Sequence, residues 1–285
     1  MRLSHTSISV IIPTFNSSRT ILRCVSSVKS QTKSGGAILV IDRFSQDRTQ
    51  DIAREAGATV IQTEANRSSA RNFGANHSNS HGILFLDSDM IAPPQLLEEC
   101  EAKMEDYEAL VIPEVSVGEG FWAKCKSLER HSNAGNTLLE APRCFQRDSF
   151  FLLGGYNPRI EAGEDWDLRN RAKQFGLAMG RVNSTILHDE GSASLPELLR
   201  KKYVYGRNIG SYLSANPRAG LQQINPITRT VLPGLRTLPK DPAHGIGVVI
   251  LKAFEFGTAA LGRLIGPSGA NLSVEIGTRE ADPSA

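Results

Sequence analysis

Aromatic residues make up only 6% of this 285-residue chain, and its 30 acids and 32 bases nearly cancel, leaving a net charge of +2. A protein that holds nucleic acid by phosphate neutralisation and base stacking needs more of both, so no nucleic acid is expected as a partner. The four cysteines, Cys24, Cys100, Cys125 and Cys144, form no CxxC pair and have no histidine at zinc-ligand spacing. Neither a disulfide framework nor a structural zinc site follows, and reduced cytosolic thiols fit best. No GxGxxG follows a strand-like run, which sets aside a dinucleotide-dependent dehydrogenase. No 20-residue apolar run is free of charge, which disfavours a membrane span. Residues 1–9 are polar and lead directly into a strand, leaving no apolar core for a signal peptide. The active site is therefore expected to be cytoplasmic, with a peripheral place on the cytoplasmic face of the membrane left open.

Acids are also missing from residues 198–240, which carry Arg200, Lys201, Lys202, Arg207, Arg218, Arg229, Arg236 and Lys240. The rest of the chain is thus net acidic. Such a local cationic field attracts polyphosphate or an anionic membrane surface, although a merely solvated basic face has the same composition.

What the chain does contain is a repeated alternation. Apolar runs at residues 8–12, 37–41, 59–62 and 83–86 read as strands, and helical periodicity covers residues 21–28, 49–56 and 68–79. Continuous apolar strands alternating with helices predict an α/β fold with a mostly parallel central sheet covered by helices on both faces. Ligands of such sheets bind at the carboxyl ends of the strands. Here those ends carry Pro13-Thr14-Phe15-Asn16, Asp42 and Asp87-Ser88-Asp89. After residue 108 come shorter mixed segments: a strand at 109–113, a helix near 120–133, a strand near Cys144 and a helix at 165–175. A basic helix follows, then a proline-punctuated linker containing Pro217, Pro226, Pro233, Pro239 and Pro242. The last predicted helix spans residues 244–265. At ~100° per residue its His244, Lys252, Glu255 and Arg263 share one narrow face, and the rest is apolar. That pattern permits a helix lying on a membrane surface, packed on the protein, or placed in a homodimer.

Asp87 and Asp89 follow an apolar strand, where side chains two apart point the same way. Two carboxylates facing one point suit Mg²⁺ or Mn²⁺, with positions left for diphosphate oxygens. The competing reading makes Asp89 the cap of a helix starting near Pro93 or Pro94.

Val10-Ile11-Ile12-Pro13-Thr14-Phe15-Asn16, Ala70-Arg71-Asn72-Phe73-Gly74-Ala75 and Ile83-Leu84-Phe85-Leu86-Asp87-Ser88-Asp89, followed by Gly154-Gly155-Tyr156 and Gly163-Glu164-Asp165-Trp166-Asp167-Leu168, resemble the family 2 inverting glycosyltransferases of the GT-A fold. The resemblance covers about residues 8–210. It implies a nucleoside diphosphate sugar donor, UDP- or GDP-linked, with residues 1–107 as the nucleotide-sugar half. Residues 108–215 are then the acceptor half; beyond the resemblance, the helical pattern makes 216–266 a C-terminal helical extension, and 267–285 is expected to be a disordered tail. Pro13, Thr14 and Asn16 would line the nucleoside site, Asp42 would hold base or ribose, and Arg71 would contact the nucleotide or its loop. Asp87 and Ser88 would face the donor, and Asp87 and Asp89 the metal. Where many members read DDGSTDGT, this chain has Asp42-Arg43-Phe44-Ser45-Gln46-Asp47-Arg48-Thr49, without the second acid.

By the same resemblance Asp165 is the catalytic base, while an acid at a helix start also serves simply to complement the dipole. His188 falls where some related enzymes place a histidine near the metal or diphosphate. The family's QxxRW helix is absent, and Lys201-Lys202-Tyr203-Val204-Tyr205-Gly206-Arg207 takes its place, with Lys202, Tyr203 and Arg207 as candidates to clamp diphosphate or a lipid phosphate. The acceptor, lipid-linked or not, stays open. Two alternatives remain: a sugar nucleotidyltransferase, whose glycine-rich triphosphate loop this chain lacks, and a non-catalytic nucleotide-sugar-binding module.

Overall fold

The computed structural model describes residues 7–32 and 36–266. Strand β1 (Ile8–Thr14) is the centre of the sheet. Its period-2 alternation sends Val10 and Ile12 into one apolar layer and Ile11 into the other. A strand buried on both faces needs a run of apolar β-branched residues, which is what ISVII supplies. Helix α1 (Ile21–Lys29) covers the first face with Ile21, Cys24, Val25 and Val28. Strand β2 (Ile38–Asp42), helix α2 (Thr49–Glu55) and strand β3 (Thr59–Gln62) continue the parallel wind. Helix α3 (Arg67–Asn76) crosses the second face so closely that a Cβ on Gly74 would stand 2.5 Å from Ile11 Cγ2. Strand β4 (Gly82–Phe85) returns beside β1.

Beyond β4 the chain makes the short strand β5 (Met90–Ile91), helix α4 (Leu96–Lys103), strands β6 (Ala109–Val111) and β7 (Glu114–Val117), and helix α5 (Phe121–Ser132). Strand β8 (Pro142–Gln146), helices α6 (Arg147–Leu152) and α7 (Glu164–Gln174), and strands β9 (Met179–Arg181) and β10 (Ile186–Asp189) follow. The main sheet has the order β3-β2-β1-β4-β8-β6-β9. It is parallel except at β8, which runs antiparallel to both neighbours. A second sheet, β5-β10-β7, was not foreseen from the sequence; its strands are too short for a readable period.

The predicted linker is helical. After α8 (Leu195–Ala215) come α9 (Pro217–Ile224), a π-helical turn (Ile227–Val231) and α10 (Leu232–Thr237), then α11 (Pro242–Ile265). Pro217, Pro233 and Pro242 occupy the first or second helical position, where no intrahelical N–H is needed, so they start helices instead of breaking them. Helix α11 packs against α8 and α5. The predicted tail, 267–285, lies outside the described residues. No helix among them is long and apolar enough to cross a membrane.

Helices α8 and α11 meet at glycines. A Cβ on Gly206 would lie 2.1 Å from the Ala259 carbonyl oxygen, and one on Gly262 would lie 2.2 Å from that of Tyr203. Backbone cannot yield as a side-chain tip can. Gly206→Val should therefore cost ~1–3 kcal/mol, lowering Tm by about 2–4 °C per kcal/mol for a chain of this size. Calorimetry checks this, with Gly257→Ala, at a helical position with nothing within 4 Å, as the control that should keep or raise Tm.

Candidate active site

Arg71, from α3, is fully buried, and its guanidinium is surrounded by carboxylates. Nη2 donates to Asp87 Oδ1 at 2.6 Å, and Nη1 donates to Glu164 Oε1 and Asp165 Oδ1, each at 3.3 Å. The Tyr156 ring closes the site, 4.9 Å from the guanidinium carbon. Asn72, the next residue, pins the turn that carries Tyr156: its amide donates to the Tyr156 carbonyl, and its carbonyl accepts from the Tyr156 N–H, both at 2.8 Å. Gly155 in that turn has φ +67, and a Cβ there would stand 2.6 Å from Asn72 Oδ1. Only glycine satisfies both the left-handed backbone and the close approach. Three segments distant in sequence are thus tied to one cation.

Around this centre the charges are paired. Arg143 from β8 approaches Asp87 Oδ2 at 3.5 Å and also binds Glu114. Burial by itself would raise the Asp87 pKa, but the Arg71 and Arg143 guanidiniums outweigh it and hold this carboxyl far below the usual range. For Glu114 the same contest, with Arg143 the strongest attraction, ends at about 2. Glu164 is the opposite case: burial raises it, the neighbouring Asp165 charge adds to the rise, and Arg67 and Arg71 only partly offset them.

Asp89 is placed by strand pairing. Met90 of β5 stands opposite His188 of β10, and the Asp189 N–H donates to the Asp89 carbonyl at 2.8 Å. His188 Nε2 comes to rest 3.2 Å from Asp89 Oδ2. Burial lowers the His188 pKa, yet hydrogen bonds to Asp89 and Glu114 carry it up to about 9. Asp89 does not cap a helix: α4 begins at Leu96, and its cap is Gln95.

Of the residues predicted for the nucleoside loop, Pro13 and Thr14 close β1, and Asn16 adopts φ +46. Asn16 donates its N–H to Ser45 Oγ and accepts the Gln46 N–H on Oδ1, both at 2.9 Å. Asp42 is fully buried, with one carboxylate oxygen on the Ser45 N–H and the other on its hydroxyl, so it shapes the facing loop. Ser88 Oγ donates to Ser17 Oγ at 2.9 Å, joining the two loops.

The structure does not bring Lys202, Tyr203 and Arg207 to the carboxylates. Their recorded contacts are with each other, Tyr205 and α11: Lys202 Nζ is 3.8 Å from Glu255 Oε2, Arg207 Nε donates to the Gly266 carbonyl at 3.1 Å, and the Tyr203 carbonyl faces Gly262. Residues the sequence reading missed include Arg143, Glu114, Asn72 and Tyr156. Asn72 and Tyr156 stood inside the motifs quoted above, beside Arg71 and Gly155, whereas Arg143 and Glu114 carried no local signature.

Among the described residues no three of His, Cys, Asp and Glu converge as a ready-made ion cage. One atom nonetheless fits a cation. Asp89 Oδ1 is buried without a hydrogen-bond partner, and a buried anionic oxygen left unpaired is costly unless a ligand completes it.

A doubly covered, mainly parallel sheet with an aspartate pair at a strand end fits a glycosyltransferase of the GT-A fold. The chain belongs to glycosyl transferase family 2, whose model matches residues 9–162. It is 26% identical over 180 residues to an uncharacterized glycosyltransferase of Haemophilus influenzae, an alignment covering 56% of this chain and 60% of that protein. In fold it is similar to the mannosyltransferase PcManGT of Pyrobaculum calidifontis, solved with GDP-Man and Mn²⁺, with TM-score 0.59, 14% identity and coverage of 90% and 87% of the two chains. It is likewise similar to S. aureus TarS 1-349 in complex with UDP-GlcNAc, with TM-score 0.53, 15% identity and 90% of each chain covered.

Removing the Arg71 charge leaves buried carboxylates facing one another. Arg71→Met should destabilise the fold by ~3–5 kcal/mol, the usual result of breaking a buried pair on one side. Urea unfolding at neutral pH measures it, and a loss below ~1 kcal/mol would show that Asp87 and Glu164 relax into solvent.

Proposed function

We propose that the protein transfers a sugar with inversion from a UDP- or GDP-linked donor to an acceptor hydroxyl or lipid phosphate, assisted by Mg²⁺ or Mn²⁺. The observation that carries this reading is the buried Arg71 guanidinium, which holds Asp87 of the aspartate pair and Asp165 of α7 on one group. Donor diphosphate and acceptor must meet between those two carboxylates for displacement at the anomeric carbon. Arg71 fixes their separation before either substrate binds, as orientation of the reactants requires.

In this reading the loops after β1 and β2, with Pro13, Thr14 and Asn16, receive the nucleoside, and Asp42 acts by holding its loop through Ser45. The bound complexes of similarly folded proteins, GDP-Man with Mn²⁺ in one and UDP-GlcNAc in another, support a nucleotide-sugar donor without choosing its base. Asp89, with its unpartnered Oδ1, would hold the cation, and His188 beside it would join once Nε2 gives up the proton it shares with Asp89. Asp87 has both oxygens facing guanidiniums and serves to position Asp89's loop. When bound, the cation supplies charge neutralisation for the departing diphosphate.

Asp165 takes the acceptor proton as the acceptor oxygen attacks. It suits that task better than Glu164 because its side chain is 29% exposed against 6%, so an acceptor can reach it. Glu164 instead braces Arg67 and Arg71. A nucleotidyltransferase is disfavoured by the loop at 13–16, which has no glycine to cradle a triphosphate. In this reading the enzyme works on the cytoplasmic side, in contact with the membrane if its acceptor is lipid-linked, and serves cell-envelope glycan or glycolipid synthesis. Whether it acts as a monomer or a homodimer does not enter the chemistry.

Asp165→Asn preserves shape and removes basicity. It should slow nucleoside diphosphate release in the presence of acceptor by ~10²- to 10⁴-fold while leaving nucleotide binding near wild type. A near wild-type rate would pass the role to Glu164.

A further inference from the structure

Helix α11 is amphipathic in the reverse of the usual sense. Lys252 and Glu255 point into the protein beside the buried Val248 and Leu251, and most of its other large apolar side chains point away. Lys252 and Glu255 are buried, and Lys252 Nζ binds Glu129 of α5 and Glu255 Oε2, the latter at 2.6 Å. Lys126 Nζ, also on α5, lies 2.7 Å from Glu129 Oε2 and 3.6 Å from Glu255 Oε1. Lys202 of α8 completes the cluster against Glu255. These five groups set the rotation of α11 about its axis, because turning it would strand buried charges.

The opposite face is left outward. Ile246, Val249, Ile250, Phe254, Leu261 and Leu264 are all exposed, Leu264 by 84%. With Ala253, Gly257 and Ala260 they form a stripe along the helix that contains no charged or hydrogen-bonding side chain. At 100° per residue the stripe centres opposite the Lys252 and Glu255 side. Arg263, exposed, stands at its edge, with its guanidinium beside Gly210 of α8. Helix α10 adds exposed Leu232 and Leu235.

We propose that the outward face of α11 docks on an anionic membrane surface, with the helix lying in the headgroup region. The charge of the surrounding chain selects this occupant. Within residues 198–266, Arg200, Lys201, Arg218, Arg236, Lys240 and Arg263 are exposed. The only exposed carboxylate is Asp241, which caps α11 and binds His244. An apolar face carried on a segment whose exposed charges are almost all bases matches an anionic bilayer, where the stripe enters the acyl boundary and bases meet headgroups. Pairing with a second copy would instead bring two cationic segments together. The helix lies on the surface and does not insert across it, since no described helix is apolar and long enough to span. This docking goes beyond sugar transfer and does not depend on it.

The test is sedimentation of the full chain with vesicles of phosphatidylcholine containing about one-third phosphatidylglycerol. Wild type should bind in low salt, bind pure phosphatidylcholine vesicles far less, and release as salt rises. Phe254→Asp combined with Leu261→Asp should weaken binding by about tenfold or more at an unchanged melting temperature. If that variant does not fold, a polarity-sensitive dye on Leu264→Cys gives a second reading, because the four native cysteines are buried. Its emission should shift to the blue on anionic vesicles. Wild type that stays in solution at low salt, a variant that binds equally, or a dye that reports no change would overturn the proposal. So would wild-type dimers that ignore vesicles and dissociate on Phe254→Asp, which would assign the face to a second copy. No donor or acceptor enters these measurements, so their failure leaves the sugar-transfer reading standing.

Discussion

The Arg71 guanidinium is the interaction on which the site depends. Alone in an apolar layer it would cost several kcal/mol of desolvation, and Glu164, nearly as buried, would carry a similar penalty, while Asp87 and Asp165 keep part of their contact with solvent. Together they compensate one another, but only if α3, the loop after β4 and the start of α7 occupy fixed relative positions. Asn72 and Gly155 fix the turn that lays Tyr156 against the same guanidinium. The arrangement is therefore all-or-none, which is how a catalytic geometry is held without the substrate present.

A second constraint sets Asp89. The short sheet β5-β10-β7 adds little to the core, yet it places His188 opposite Met90 and so beside Asp89. One consequence is a division between neighbouring acids. Asp87 is satisfied by two arginines, whereas Asp89 retains an oxygen with no partner. The pair that the sequence presents as equivalent is chemically unequal in the fold.

How much of this was legible follows from range. Strands β1 to β4 and helices α1 to α3 could be read because each is a local run with a clear period, bounded by Pro13, Asp42 or Gly57. The short strands β5, β7 and β10 could not, since two to four residues carry no period and their pairing is decided by contacts far away in sequence. Prolines 217, 233 and 242 were misleading because a proline that begins a helix and one that interrupts it look alike until the neighbouring turn is known. At the site, Arg71, Asp87, Asp89, Asp165 and His188 were each found in the sequence, and the structure brings Arg71, Asp87 and Asp165 onto one guanidinium and His188 onto Asp89. Glu114 and Arg143 were not, because a buried ion pair depends on both partners and neither has a local signature. The basic segment showed its charge but not its direction: Lys202 turns towards Glu255 of α11, away from the carboxylates.

The inequality between Asp87 and Asp89 is the claim most directly open to measurement. A crystal of the protein grown with Mn²⁺ and a nucleoside diphosphate, recorded at the manganese absorption edge, locates the ion by its anomalous scattering. The account predicts a peak within coordination distance of Asp89 Oδ1, roughly 2.0–2.2 Å away for a small hard cation, with the Arg71 to Asp87 pair intact. A peak on Asp87 with that pair broken, or nucleotide bound with no peak near either aspartate, would contradict it.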